Sequence, residues 1–306
     1  MGERDRYHRR IMTPYEPRRT SRSDYLDLRG IRCHCRVWPG KPEAPWIFML
    51  HGWMDVSASF QFLIDVLDPD WTIIAPDWRG YGESSWSGER TYWFPDYLAD
   101  LEAVLDHYQP GTAVNLLGHS MGGNVANLYA GIRPGRIRRL ISVEGFGMSG
   151  AAPEQAPSRY AKWLDQLASP AGFRPYASRE ELARRLMEGN PRLPADKAAF
   201  LANHWGREMK DGSTVLRSDP AHKHVNPVLY RLEEGEACWR AVTAPVLWVV
   251  GSETRTLAQI KLTEAEHKRR QALFRDLQPI LIPGAGHMVH HDQPELLARE
   301  VGRFVQ

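Results

Sequence analysis

The 306-residue sequence predicts a doubly wound, mostly parallel α/β sheet interrupted by an inserted helical segment. Three observations carry this reading. Short, continuous apolar runs recur along the chain, as expected of strands buried on both faces of a parallel sheet. Segments of helical period separate those runs. One interval of about 100 residues breaks the alternation and holds only helix-like stretches, too long for a plain loop.

Taken in order, residues 1–23 are rich in Arg, lack a hydrophobic period and read as a flexible N-terminal extension. Residues 25–28 and 31–37 read as two short strands around a turn at Gly30. The buried-strand runs follow at 45–50, 71–75, 113–117, 140–143, 246–250 and 280–282. Helical period appears at 59–67, 97–108, 121–132, 256–277 and 294–305. The core is therefore 24–146 and 245–306, and 147–244 is a helical cap with helices near 157–167, 178–188 and 195–205. The cap begins in a stretch rich in Gly and Pro, GMSGAAPEQAPS, and ends at VTAP.

Composition narrows the function. Hydrophobic residues at 42% and charged residues at 25% are ordinary for a globular protein and exclude a disordered chain. A net charge of +2 calls for neither nucleic acid nor an anionic membrane, so a small-molecule substrate is the expected partner. No apolar run approaches the roughly 18 residues of a membrane span. The opening MGERDRYHRRIM has no apolar core of a signal peptide, and a cytoplasmic location is expected. Cys33, Cys35 and Cys238 make no disulfide framework, and there is no CxxC pair; neither a metal nor a cofactor is expected.

The sharpest motif is Gly118-His119-Ser120-Met121-Gly122, after one buried run and before a helical pattern. A strand that turns abruptly into a helix strains its corner residue and needs small neighbours, and it exposes the Ser at the carboxyl end of the sheet. The helix N-terminus favours negative charge developing there. A Ser hydroxyl needs a base. His287, in the turn after the last strand run, is placed to reach Ser120. His290 and His291 read as exposed helix-start residues, His222 and His224 as surface residues, and His119 as packing beside the turn. A metal cluster of His287, His290, His291 and Asp292 does not match a zinc spacing. His51-Gly52-Trp53-Met54 forms a tight turn after an earlier strand, and the backbone N–H groups of Trp53 and Met121 are the expected oxyanion donors. Asp77 and Arg79, in DWRGYGES, read as loop-bracing residues.

The ordered set HGWM, DWRGYGES, GHSMGG and GAGHMVHHDQPE resembles the α/β-hydrolase superfamily, in its capped branch. The resemblance implies Ser120 as nucleophile, His287 as base, and Trp53 and Met121 as oxyanion donors. It also implies an acid after the cap strand in a G-x-x-D turn. Here that turn is Gly251-Ser252-Glu253-Thr254, with Thr in the acid's place. Two acids remain open. Glu253 lies one residue early. Glu144, ending the strand before the cap, matches the acid's position in the haloalkane-dehalogenase-like branch and is favoured, because a carboxylate closing an apolar strand requires a partner. Those dehalogenases use an Asp nucleophile; Ser120 suits acyl transfer instead. The sequence therefore predicts a serine esterase acting through an acyl-enzyme. C–C hydrolase, thioesterase, amidase and acyltransferase activities share the same triad, and a non-catalytic binding protein is the reading from another class. The cap's aromatic residues, Tyr160, Trp163, Phe173, Tyr176, Phe200, Trp205, Tyr230 and Trp239, predict a closed, mostly apolar pocket for a small or medium uncharged ester.

Overall fold

The computed structural model describes residues 14–88, 91–169 and 172–306. The apolar runs assemble into an eight-stranded sheet. In chain order its first strands are β1 (Arg22–Leu28), β2 (Ile31–Trp38), β3 (Trp46–Leu50), β4 (Thr72–Pro76), β5 (Val114–His119) and β6 (Ile137–Val143). A separate two-stranded hairpin, β7 (Gly206–Glu208) and β8 (Thr214–Leu216), follows within the inserted segment. The sheet then closes with β9 (Val246–Gly251) and β10 (Leu277–Ile282). Its spatial order is β1-β2-β4-β3-β5-β6-β9-β10. Only β2 runs against its neighbours; the pairs from β4 to β10 are parallel.

The connection from β4 to β5 crosses β3, so the chain reverses its winding direction between β3 and β5. Ligands bind at the carboxyl ends of strands flanking such a switch point. His51 and Ser120 follow β3 and β5 directly.

The described residues form eleven α-helices: α1 (Gln61–Ile64), α2 (Phe94–Tyr108), α3 (Met121–Ile132), α4 (Ala156–Ala168), α5 (Arg179–Gly189), α6 (Ala195–Trp205), α7 (Leu232–Arg240), α8 (Thr256–Gln259), α9 (Glu264–Gln271), α10 (Val289–Asp292) and α11 (Pro294–Val305). One face of the sheet packs on α2 and α3 through Tyr97, Leu101, Val104, Val125 and Tyr129. The other packs on α1 and α11 through Leu63, Ile64, Leu297 and Val301. A third cluster joins Val56 and Phe62 to Leu182 of α5 and Phe200 and Leu201 of α6, which seats the inserted segment on the loop after β3. No helix among the described residues is long and apolar enough to cross a membrane.

Three sequence expectations change. The interval 147–244, expected to hold only helix-like stretches, also carries the β7–β8 hairpin, whose short strands lack the apolar run that marks a buried one. The helical period at 256–277 is not one helix. It breaks between α8 and α9, where Lys261 adopts φ 56° and the Thr263 hydroxyl caps α9 by accepting from the Glu266 N–H. Its last residue, Leu277, belongs to β10. Residues 14–21, expected within a flexible extension, are anchored instead. The Tyr15 hydroxyl donates to Asp65 Oδ2 at 2.9 Å, the Arg19 N–H donates to Asp65 Oδ1 at 2.8 Å, and the Arg19 guanidinium reaches the Trp71 carbonyl at 2.8 Å. Residues 1–13 lie outside the described residues.

Candidate active site

Ser120 stands at the corner between β5 and α3 with φ 53° and ψ −115°, a left-handed conformation that is costly for a residue with a side chain. Its N–H donates to the Val143 carbonyl at 2.8 Å, which holds the corner against β6. The glycines around it allow the close approach. A Cβ on Gly122 would lie 2.1 Å from the Leu50 carbonyl oxygen, and one on Gly118 would lie 2.4 Å from the Gly122 carbonyl oxygen. Helix α3 therefore begins pressed against the end of β3. The turn at Gly52 closes on the same corner: a Cβ there would meet His119 Nδ1 at 3.0 Å and Ser120 Cβ at 3.3 Å. This packing sets the turn carrying Trp53 beside the Ser120–Met121 corner.

His51 fixes that turn. The Trp78 N–H donates to His51 Nε2 at 3.0 Å, so the ring proton is on Nδ1, which donates to the Gly52 carbonyl at 2.8 Å. Burial pushes the His51 pKa down to about 4, so it stays neutral in this role. The Trp53 indole is 54% exposed and donates through Nε1 to the His222 carbonyl at 3.3 Å.

Glu144 follows β6 with φ 56°, and its side chain is fully buried. Three groups contact its carboxylate, and a fourth contacts the imidazole. The Gly251 N–H donates to Oε1 at 2.8 Å, and the Thr254 hydroxyl donates to Oε2 at 2.6 Å. His287 Nδ1 lies 3.0 Å from Oε2, and Thr256 Oγ1 lies 2.9 Å from the same nitrogen. The structure thus brings Glu144 to His287. It does not bring Glu253 there: that side chain is half exposed and ion-paired with Arg192. Thr254, which the sequence marks only as standing in the acid's place, and Thr256, which it does not mark, complete the cluster; their hydroxyl oxygens are 3.1 Å apart. A Thr at the position where the resemblance expects the acid was the available signal.

The remaining histidines depart from expectation. His290 and His291 are buried, because α10 turns inward and packs beneath Phe60 and Phe62. His222 is also buried, its ring stacked between those of Tyr81 and Tyr92, each 3.8 Å away; His224 is half buried. Asp292 accepts from the Gly286 N–H at 2.8 Å and from Asn190 at 2.6 Å. His119 packs beside the elbow, and its Nε2–H donates to the His287 carbonyl at 2.9 Å. Burial, with His290 and His287 close by, holds the His119 pKa well below its usual value.

Asp77 and Arg79 brace their loop. Asp77 accepts from the Ser57 N–H at 2.7 Å, the Glu83 N–H at 2.9 Å and His34 Nδ1 at 2.7 Å. Burial pushes its pKa up, but these bonds and the charge of His34 outweigh that and hold it well below the usual carboxylate range. Arg79 makes two 2.6 Å bonds to Asp100.

Beside the turn that carries Trp53 opens a cavity of about 680 Å³ whose walls include Trp53, Met54, Phe173, Tyr176 and Leu216, with Arg174, Arg185, Lys223 and Glu181 around it. A smaller one of about 190 Å³ shares Met54, Tyr176, Arg185 and Leu216 and adds Trp205. Of the aromatics in the inserted segment, Phe173, Tyr176 and Trp205 therefore face these cavities, and Tyr230 lines a separate one of about 420 Å³. Trp239 is in the core against Phe274, and Phe200 packs on Phe62. Tyr160 is exposed.

A Ser at a strand–helix corner, a His after the last strand and a switch point between β3 and β5 together define an α/β hydrolase. The chain belongs to that family: the family model described as alpha/beta hydrolase fold matches residues 45–294. It is 26% identical over 288 residues to a serine hydrolase-like protein of Danio rerio, covering 92% of this chain and 85% of that one. It is also 26% identical over 267 residues to the 2-(acetamidomethylene)succinate hydrolase of Mesorhizobium japonicum, covering 87% and 89%. Among solved structures, a thioesterase domain from the curacin biosynthetic pathway superposes with a TM-score of 0.82 at 22% identity, over 92% of this chain and 99% of that one.

Proposed function

We propose that the protein is a serine hydrolase that cleaves a small or medium carboxylic ester through an acyl-enzyme, with 147–244 acting as its cap. The observation that carries the proposal is the buried Glu144 carboxylate 3.0 Å from His287 Nδ1, on the same sheet edge as the strained Ser120 elbow. In this reading Ser120 Oγ attacks the ester carbonyl and His287 Nε2 takes its proton. The Nδ1–H donates to Glu144, which orients the ring and stabilises the imidazolium. The backbone N–H groups of Trp53 and Met121 receive the oxyanion. His287 returns the proton to the departing alcohol, and water repeats the sequence to free the acid.

The apolar walls Phe173, Tyr176 and Leu216 support an apolar acyl or alcohol group. A second reading is favoured by the three cations around the same cavity, Arg174, Arg185 and Lys223, and by the relative named for hydrolysis of a succinate derivative. It is an ester or amide whose substrate carries a carboxylate away from the scissile bond.

The test has two parts. A fluorophosphonate probe should label the wild-type protein and not Ser120→Ala; undiminished labelling of the variant refutes the nucleophile. A panel of neutral, aromatic and carboxylate-bearing acyl esters, with matched thioesters and amides, then ranks kcat/KM. A preference for the carboxylate-bearing members that disappears in Arg185→Gln selects the second reading, and a preference for neutral esters selects the first.

A further inference from the structure

Beneath the elbow, three buried side chains from a turn, a strand end and a short helix converge without a shared partner. Asp55 comes from the turn after β3, His119 from the end of β5 and His290 from α10; they are 2%, 2% and 1% exposed. Among the described residues, Asp55 Oδ2, His119 Nδ1 and both ring nitrogens of His290 have no hydrogen-bond partner. Buried polar atoms are rarely left this way, and here one ligand atom from each residue lies within 4.8 Å of the others.

We propose that Asp55, His119 and His290 form a divalent transition-metal site that clamps the oxyanion turn, the nucleophile elbow and the base loop together. The donor set is two imidazoles and one carboxylate oxygen, which suits Zn²⁺ or Co²⁺ and not Ca²⁺ or Mg²⁺, which need more oxygen ligands. An ion centred in a triangle of that side sits about 2.8 Å from each atom, so each must close by roughly 0.7 Å to reach a bond of about 2.1 Å. The supporting contacts are already in place. The Nε2–H of His119 is committed to the His287 carbonyl at 2.9 Å, which leaves Nδ1 as the lone-pair nitrogen. Asp55 Oδ1 accepts from the Val56 N–H at 2.8 Å and from the Ser59 hydroxyl, which leaves Oδ2 free to ligate. The His290 ring is fixed by packing on Phe60 and His119, with centroids at 5.1 and 4.5 Å. For His119 and Asp55 these outer hydrogen bonds fix the ligating atom before the ion arrives.

The experiment is equilibrium dialysis of the intact protein against Zn²⁺ alone and Co²⁺ alone, followed by the Co²⁺ visible spectrum and thermal unfolding. One ion per chain is expected, with a Co²⁺ absorption of low-coordinate N/O type and a raised Tm. Asp55→Asn and His290→Gln should each weaken binding by about 100-fold or more and abolish the rise in Tm. His287→Ala should bind like wild type, which separates this site from metal captured by the half-buried His287 ring and keeps the result independent of the proposed catalytic role. Absence of saturable binding by folded wild type overturns the proposal. So does equal binding by His290→Gln, or binding that requires His287.

Discussion

Thr254 donates its hydroxyl to Glu144 Oε2 across 2.6 Å, the same carboxylate oxygen that His287 Nδ1 approaches at 3.0 Å. Strands β6 and β9 are adjacent, with Val143 paired to Val249 and the Glu144 N–H bonded to the Val249 carbonyl. The loops after the two strands therefore face one point. A carboxylate supplied from either loop can reach the same imidazole; here β6 supplies it, and the β9 loop supplies a hydroxyl that holds it. Glu144→Gln should lower kcat by up to about four orders of magnitude, as loss of a triad carboxylate does. Thr254→Ala removes one bond to a charged group while Gly251 still holds Oε1, so kcat should fall by about tenfold with little change in KM. Glu253→Gln should leave kcat near wild type. A strong effect of Glu253→Gln with a weak effect of Glu144→Gln would reverse the assignment.

The second prediction concerns the elbow. A Cβ on Gly122 would stand 2.1 Å from the Leu50 carbonyl oxygen, and both partners are backbone. Neither can move aside without shifting β3 against α3. Gly122→Ala should destabilise the fold by about 1–3 kcal/mol and reduce activity more than the loss of stability explains, because the shift displaces Trp53 from Ser120. Gly302→Ala, on α11 where a Cβ meets nothing within 4 Å, is the control. Equal Tm values for the two variants would refute the steric argument.

The elbow was legible because its signals are local: glycines, a Ser and a change of period fall within six residues, Gly118–Gly123. Glu144 was legible because a charge closing an apolar strand needs an explanation. What could not be read depends on contacts distant in sequence. Asp55, His119 and His290 have no spacing that marks them as neighbours. His222 looks like a surface residue until Tyr81 and Tyr92 close on it. The anchoring of residues 14–21 rests on Asp65 and Trp71, far along the chain. The single helix expected over 256–277 failed because a helical period continues smoothly through Lys261, whose left-handed backbone interrupts it.

The third prediction is acid sensitivity of the fold. Burial pushes His51 down to about 4 and His222 down to about 3, so both rings are neutral in the folded state at pH 7. In the unfolded chain each takes up a proton near its ordinary pKa of about 6.5. Below that pH the unfolded state binds more protons than the folded one, so stability falls as pH drops. The slope is at most about 1.4 kcal/mol per pH unit for each histidine, over a window from about 6.5 down to the folded values. Above pH 6.5 these two groups contribute no slope. Urea midpoints at pH 7.5, 6.5, 5.5 and 4.5 check this; a flat profile through that range would contradict the burial of both rings.

His222 separates packing from protonation. Its ring lies between Tyr81 and Tyr92, and its carbonyl accepts from the Trp53 indole, so it ties the inserted segment to the turn after β3. His222→Ala removes the ring from a filled slot and should cost roughly 2–5 kcal/mol, as large-to-small changes in a core do. The inserted segment should then be cut faster by protease, and KM should rise because the wall beside Trp53 loosens. His222→Phe keeps an aromatic ring between the two tyrosines and carries no titrating nitrogen. Its stability at pH 7 should stay within about 1.5 kcal/mol of wild type, the range for a volume-conserving exchange. Its stability should also fall less steeply on acidification, by up to about 1.4 kcal/mol per pH unit between pH 6 and pH 4. If His222→Phe instead retains the wild-type pH slope, His222 is not the buried neutral group that the stacking geometry implies, and the acid sensitivity must rest on His51 and the other buried imidazoles.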